Sequence, residues 1–410
     1  MGELGFTLML LAVGQGAVLS VVLARRRQNR LANHILAALI GALALMLLLG
    51  YFDLRWGWDG HPHLIALGSP LPYLFAPLQW LYVVALTRPL SRLHPRQLVH
   101  ALPFVANVIF MMQGFFFLGA EEKLAVAKAV MAGGGGTSVL IMDGLQVVQA
   151  IAYLVASFVA LRHYKHRIEG FFSDLQRIDL RWLTVLIGAH ASVWCLVLVH
   201  FALKVLQVDT SGMDFIRPAI QMGSALFIFL VGYISLWQPE LFQKATDAQC
   251  IDEEDSDAPP EPLPGPAKTL ERTTPETTPE ATKYQRNRLE ADEAADLVAG
   301  LERLMTEDEL YRDSSLTAQV LADGLGVTPH LLSQVLNVHI GKSFYAFVNQ
   351  HRAEALKGAL ADPNQRDQKV LDLALAVGFN SKSTVNSVFK KHTGLTPTQF
   401  RAKVVDEEAV

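Results

Sequence analysis

Apolar side chains fill the first 240 positions in long runs separated by short polar breaks, and beyond them the texture changes twice. The runs lie near 4–24, 31–52, 64–87, 98–118, 137–161, 182–206 and 216–237. About 20 apolar residues in a helix cross a hydrocarbon core of about 30 Å, so this pattern predicts seven spanning helices. Pro70, Pro72 and Pro77 interrupt the third run. A broken or re-entrant segment there is tolerable only if neighbouring helices cover the carbonyls that the prolines free. From 247 to 282 the periodicity disappears among Pro, Thr and acidic residues, and from about 289 onward short stretches return to a helical period.

The last of these stretches, 370–401, predicts a helix, a tight turn at Gly378, a second helix and a closing helix. Leu371, Ala374 and Leu375 share one face of the first helix, and Gly378 stands where the chain turns without a side chain. Ser381 occupies the N-cap of the second helix, whose inner face carries Val385, Val388, Phe389 and His392. Its outer face presents Lys382, Ser383, Asn386 and Ser387, with Lys390 and Lys391 toward the end. Such groups pair with base edges and phosphates in a major groove, although a merely solvated face has the same composition.

The same plan occurs once more upstream, over 316–352. Val320 and Leu321 point inward, the chain turns between Gly324 and Gly326, Thr328 caps the next helix and Pro329 sits in its first turn. Leu332, Val335 and Leu336 form the buried stripe, which leaves His330, Ser333, Gln334 and Asn337 outward. A helix from about Ser343 to Leu360 joins the units, capped by Ser343 and stopped near Pro363. At 1.5 Å per residue it is about 27 Å long, suited to holding two reading helices in successive major-groove segments.

The stretch from about Leu316 to Arg401 resembles the DNA-binding domain of the AraC/XylS family of bacterial transcription regulators. It carries the L-S-x-x-L core as Leu332, Ser333 and Leu336, then Gly341, Phe344 and Arg352, and the second-unit signature Gly378, Phe379, Ser381, Phe389, Gly394, Pro397 and Arg401. Val385 departs from the larger apolar residue common in the family, and the first reading helix is poor in Arg and Lys. The resemblance implies a double helix-turn-helix that binds promoter DNA, and it covers only the last fifth to quarter of the chain.

Composition and charge extend the picture. With 51% hydrophobic and 18% charged residues, 410 residues do not read as a soluble chain. Arg25, Arg26, Arg27, Arg30, Arg88, Arg92, Arg96, Arg162, Lys165, Arg167, Arg177 and Arg181 fall on one side of the seven-span scheme. Arg55, Lys123, Lys128, Lys204 and Arg217 fall on the other. Basic loops stay in the cytoplasm, so the N-terminus is expected outside and the C-terminus inside a bacterial inner membrane. Residues 247–282 hold ten acids against Lys268 and Arg272, as expected of a disordered tether. A flexible coil of that length spans roughly 30–36 Å. Residues 316–405 hold ten Lys and Arg against five acids, so the overall net charge of −4 conceals a basic reader behind an acidic tether. Leu297, Leu301, Leu304 and Met305 form a stripe over 289–310 that is expected to pack onto the reader, being too short for sustained heptads.

The candidate chemistry of the membrane half is sparse. Asp143 and His200 lie about six residues, roughly 9 Å, inward from the outer ends of their runs, with Gln113, Gln146 and Gln221 in the same layer. Ionisable groups at such depth are costly and often functional, so these five form a candidate sensor site; interhelical hydrogen bonding is the alternative. A metal site at Asp59, His61 and His63 and a haem held by His100, His190 or His200 are both outweighed by ordinary polar packing. The two cysteines, Cys195 and Cys250, give no disulfide framework, and Gly133–Gly136 lacks the Lys and Ser/Thr of a P-loop. No nucleophile and base pair stands out, so no catalytic residue, metal or cofactor is assigned.

The expected fold is therefore all-α, with a seven-span membrane sensor domain over 1–242, a disordered acidic linker over 243–284 and an AraC-type DNA-binding domain over 285–405. The expected function is membrane-bound transcription regulation, not enzymatic. Its partners would be promoter DNA, the lipid bilayer and an unknown signal, together with a second copy of the chain and RNA polymerase. Two other classes compete: a receptor signalling through protein contacts of its C-terminal domain, and a membrane transporter or enzyme with an attached regulator.

Overall fold

The computed structural model describes residues 2–27, 29–88, 94–130, 136–175, 180–206, 208, 215–237 and 291–408. The expected linker at 243–284 lies outside the described residues. Those described are helical, with a single isolated bridge between Phe172 and Thr317 as their extended pairing. The chain divides into two compact units, Met1–Tyr164 with Leu180–Asp255, and Lys165–Asp179 with Ser256–Val410.

The first unit is built from α1 (Glu3–Arg25), α2 (Arg30–Trp56), α3 (Pro72–Thr87), α4 (Leu102–Met111), α5 (Ala120–Ala129), α6 (Gly136–Glu169), α7 (Arg181–Val205) and α8 (Ile216–Trp237). Six helical segments among the described residues are long and apolar enough to cross a membrane: α1, α2, the stretch Pro95–Phe116 containing α4, α6, α7 and α8. The third predicted run is the exception. Pro72 starts α3 late, so it has 16 residues and rises about 24 Å, shorter than the other six. It is instead the interior helix of the unit, burying Tyr73, Phe75, Ala76, Leu81, Tyr82, Val83 and Val84. Pro77 inside α3 has no N–H to give the carbonyl four residues back, which is that of Tyr73. Gln149 on α6 supplies the missing donor through Nε2 at 3.2 Å.

Close approach holds α1 to α2, where a Cβ on Gly16 would lie 2.9 Å from that of Ala44. Ser20 Oγ donates to the Ala37 carbonyl across the same contact at 2.8 Å. Small residues and hydroxyl bridges of this kind associate helices where lipid removes the hydrophobic drive. His190 is another such bridge. Its Nδ1 meets Gln79 Oε1 of α3, and its Nε2 accepts from Trp194 Nε1 at 3.1 Å, so both ring nitrogens have partners within the unit. On α6 the outward positions Leu145, Val148, Ile151, Val155 and Phe158 are exposed, an apolar face that water would penalise and lipid would not.

The second unit contains α9 (Ala291–Thr306), α10 (Ala318–Leu325), α11 (Pro329–Val335), α12 (Phe344–Ala361), α13 (Val370–Ala376), α14 (Lys382–Thr393) and α15 (Pro397–Glu408). One core joins them, centred on Leu321, Leu332, Val335, Leu336, Phe344, Phe347, Leu356, Phe379 and Phe389. Leu301 and Met305 of α9 are fully buried in it, with Leu297 and Leu304 packed alongside, so this helix lies on the reader as its stripe implied. Two inward assignments need correction. Val320 is exposed, and on α13 the buried residues are Leu373 and Ala374, while Leu371 and Leu375 face out. In helices of seven and eight residues, a shift of one position in the packed face overturns a periodicity reading.

Among the described residues, Arg352 is the largest fully buried side chain. Its guanidinium donates from Nε to the Tyr311 carbonyl at 2.7 Å and from Nη2 to the Asp313 carbonyl at 2.7 Å. Burial lowers its pKa to about 10, against the opposing influence of Asp174 and Asp313, so it stays charged at neutral pH. Fully satisfying a buried charge in this way turns a costly group into a clamp on the 311–313 turn.

Candidate nucleic-acid interface and membrane cavity

Each reading helix is started by a side chain and ended by a glycine. Thr328 Oγ1 accepts from the Leu331 N–H at 3.3 Å to open α11, and Ser381 Oγ accepts from the Thr384 N–H at 3.2 Å to open α14. Ser343 does the same for the joining helix α12, through Ala346 N–H at 3.3 Å. Gly326, Gly341, Gly378 and Gly394 all carry positive φ at the ends of helices or turns, where side-chain-bearing residues are strained. At Gly378 the space is also closed: a Cβ would lie 2.3 Å from the Tyr311 carbonyl oxygen.

On α14, Val385 and Phe389 are buried, Val388 is half-buried, and Lys382, Ser383, Ser387, Lys390 and Lys391 are exposed, with Asn386 half-buried among them. Val385 is buried although it is smaller than the residue common in the family. Ser387 Oγ donates to the Thr384 carbonyl at 3.0 Å, which leaves it to act toward a base as an acceptor. His392 at the end of α14 meets Glu354 of α12 and, with Lys357, holds the Glu354 carboxyl below the usual range, tying the second reading helix to the joining helix. On α11, His330 and Asn337 are exposed while Ser333 and Gln334 are half-buried. Asn337 Nδ2 donates to Ser333 Oγ at 3.3 Å, so two of the four outward residues are engaged with each other. The helical ladder widens to a π pattern over Leu336–Ile340 before Gly341 closes it. The exposed lysines of this set, Lys382, Lys390 and Lys391, are all on α14, and α11 carries none.

The first unit holds a cavity of about 790 Å³. Its wall includes Asp143, Gln146, His200 and Gln221, four of the five predicted sensor residues. Gln113 is exposed in the π turn Met112–Phe116, where the widened ladder swings it away from the wall that Met111 and Phe115 line. Asp143 does not meet His200 directly. Its carboxylate pairs with Lys204 at 2.9 Å, one turn beyond His200, whose Nδ1 is buried without a hydrogen-bond partner. A second pair, Arg217 with Asp53, lines the same wall, as does the buried Asn107, whose Oδ1 also lacks a partner. The sequence reading missed Asp53, Lys204 and Arg217 as site residues because it counted the last two as loop charge. Oppositely charged residues at matched depth on different runs were the available signal. Asp59 of the proposed metal trio pairs with Lys128 at 3.1 Å.

Residues 321–403 match the family model described as a helix-turn-helix domain. The chain is 30% identical over 95 residues to a protein of Proteus vulgaris named a probable transcription factor, PqrA, in an alignment covering 23% of this chain and 75% of that one. The chain belongs to the AraC-type helix-turn-helix transcription regulators. The uncharacterized transcriptional regulatory protein YesN of Bacillus subtilis (strain 168) is 34% identical over 98 residues, 23% of this chain and 26% of its own. An uncharacterized HTH-type transcriptional regulator of Staphylococcus aureus (strain COL) is 31% identical over 93 residues, 23% of this chain and 12% of its own. No solved structure matches the chain. The family match falls in the C-terminal unit, where the motif residues Leu332, Leu336, Phe344, Arg352, Phe379 and Phe389 are buried in the core.

Proposed function

We propose that the chain is a membrane-embedded AraC-type transcription regulator, oriented with its N-terminus outside and its C-terminus in the cytoplasm of a bacterial inner membrane. Residues 1–242 would form the sensor domain, 243–284 a disordered tether and 285–405 the reader of promoter DNA. The observation that supports this reading is the union, in one chain, of six apolar helices long enough to cross a bilayer with a double helix-turn-helix, and the stated orientation takes the shorter interior α3 as a seventh crossing. His330, Ser333, Gln334 and Asn337 on α11, and Lys382, Ser383, Asn386, Ser387, Lys390 and Lys391 on α14, would contact DNA. Pairing of two readers and contact with RNA polymerase follow from that role.

The cavity supports a sensor role, with Asp143, Gln146, His200 and Gln221 joined by Lys204, Asp53 and Arg217. Its charges cancel in pairs, and the rest of its wall includes Met46, Phe52, Trp58, Phe110 and Phe115. It suits a small, largely apolar molecule of no net charge with a polar end for the unpartnered Asn107 and His200 atoms.

Two measurements test the reading. Genome-wide mapping of DNA bound by the intact protein should return a shared sequence upstream of genes, and scattered sites without one would refute it. A cysteine at Gly134, in a chain lacking Cys195 and Cys250, should react with a membrane-impermeant thiol reagent on whole cells, whereas native Cys250 alone should require permeabilised cells. The reverse pattern would invert the topology.

A further inference from the structure

The compact C-terminal unit includes a segment from far upstream. Residues 165–179 belong to it, and within them Phe171–Asp174 is seated on the reader. Ser173 N–H donates to the Leu316 carbonyl at 3.4 Å and Ala318 N–H to the Phe171 carbonyl at 2.9 Å, which makes Phe172 and Thr317 a bridged antiparallel pair. Ser173 is buried. Its hydroxyl donates to the Leu316 carbonyl at 2.6 Å and accepts from Arg352 Nη2 at 3.1 Å, and its carbonyl accepts from Asn349 Nδ2 at 3.0 Å. Phe171 packs on the core of the reader. Asp174 accepts from Asn380 Nδ2 at 2.6 Å. This is a built receptor: two buried polar side chains of α12, Asn349 and Arg352, are aimed at one four-residue segment, which by sequence lies between α6 and α7.

The ends of the segment reach the two reading helices. A Cβ on Gly170 would lie 3.6 Å from Ser333 Oγ of α11, and Asn380 is the residue before the N-cap of α14. In helix-turn-helix proteins the N-terminal residues of the reading helix approach the bases, with phosphates close by. A carboxylate held at the start of α14 repels those phosphates, and backbone beside Ser333 takes up room on the face of α11. We infer that Gly170–Asp174 is an internal competitor of DNA: docked on Thr317, Asn349, Arg352 and Asn380 it opposes DNA binding, and its release opens the reader. The inference rests on the proposed role as a DNA-binding regulator.

The bridge provides its own test. Phe172 and Thr317 form a non-hydrogen-bonded antiparallel pair, whose Cα atoms stand about 4.5 Å apart, within the range a disulfide spans. The full-length protein in lipid nanodiscs, with Cys195→Ala and Cys250→Ala, would carry Phe172→Cys and Thr317→Cys. Its DNA would be the sequence recovered by randomised-site selection with the cysteine-free chain. The oxidised form should bind that DNA at least about tenfold more weakly than the same preparation after reduction, and each single-cysteine chain should bind alike in both states. A further chain, Asp174→Asn with Ser173→Pro, loses the carboxylate and the Ser173 donor and should bind more tightly than the parent. Equal binding of the oxidised and reduced forms, tighter binding by the oxidised form, or failure of the disulfide to form while both thiols remain reactive overturns the inference and leaves the regulator reading intact. Failure of the selection to return any sequence overturns that reading and this inference with it.

Discussion

Gly378→Ala is expected to cripple the reader, because two independent penalties coincide there. The residue sits at φ +92, where an L side chain costs about 1–2 kcal/mol. The new methyl would also lie 2.3 Å from the Tyr311 carbonyl oxygen and 2.9 Å from that of Arg312, both backbone atoms. Forcing a methyl into filled space costs about 1–3 kcal/mol. The turn cannot retreat freely, since Arg352 Nε holds the Tyr311 carbonyl at 2.7 Å. Together the terms come to roughly 2–5 kcal/mol, a large share of the roughly 5–15 kcal/mol that stabilises a domain. Gly394→Ala is the matched control: its φ is +80, yet nothing lies within 4 Å of the added Cβ, so it incurs only the backbone term. Urea unfolding of a fragment from Lys283 to Val410 separates the two. With a slope of about 2 kcal/mol per molar, Gly378→Ala should lower the midpoint by roughly 1–2.5 M and Gly394→Ala by less, about 0.5–1 M. Equal shifts would mean that the carbonyls of the 311–312 turn do not close the space beside Gly378.

The same fragment tests the division of labour on α14. Lys382→Ala and Asn386→Ala should relax preference at particular bases, each costing about 1–3 kcal/mol, and unchanged selectivity in a binding-site selection would remove them from the base-reading set. Lys390→Ala should weaken binding to every sequence alike and reduce the salt slope by about one; a change confined to one base pair would contradict a phosphate role. Burial among Tyr311 and Phe347 lowers the pKa of His351, with Glu302 opposing and Lys342 assisting. The unfolded chain then takes up the proton first, so this residue costs the fold nothing above about pH 6.5 and destabilises it as pH falls below that value. His351→Gln should therefore flatten the loss of stability between pH 7 and 5.5, and parallel profiles would show that His351 titrates alike in both states. In the cavity, Asp143→Asn and Lys204→Gln should each disturb a reporter's response while the protein stays in the membrane, and the double variant should do less than the sum of the two. Full additivity would mean that the 2.9 Å pair does not act as a unit.

How much of this was legible in the sequence depended on whether a local rule decided the outcome. Caps are local, so Thr328, Ser343 and Ser381 were readable as helix starts, and each accepts the expected backbone bond. Long apolar runs are equally decisive. The third run yields only the 16-residue α3 because Pro72 sets where that helix can begin, and run length alone does not register that. Short helices were harder: on α13 the neighbours, and not the period, chose Leu373 over Leu371 and Leu375 for burial. In the first unit, depth along each run grouped Asp143, Gln146, His200 and Gln221, which line one cavity, since rise per residue is fixed. Depth does not give azimuth, so it could not tell that Asp143 turns to Lys204 or that Gln113 turns away. Arg352 was visible as a motif residue, but its acceptors at Tyr311, Asp313 and Ser173 are 41, 39 and 179 positions away.

That last separation bears on how a signal could travel. If residues 247–282 were the sole connection and formed the flexible coil that their composition predicts, coupling would have to work through local concentration, because a coil of roughly 30–36 Å transmits neither torque nor small displacements. The segment docked on Arg352 has the opposite character. Ser173 lies four residues beyond Glu169, the end of α6, so little slack separates that helix from the Ser173 oxygens that Arg352 and Asn349 hold. Packed helices shift by an ångström or two between states, and hydrogen bonds weaken steeply over that distance. A modest change at the end of α6 would suffice to break the bonds to Ser173. Under the proposed function, the long acidic tether then serves to let the reader move once freed, and the short loop serves to decide when.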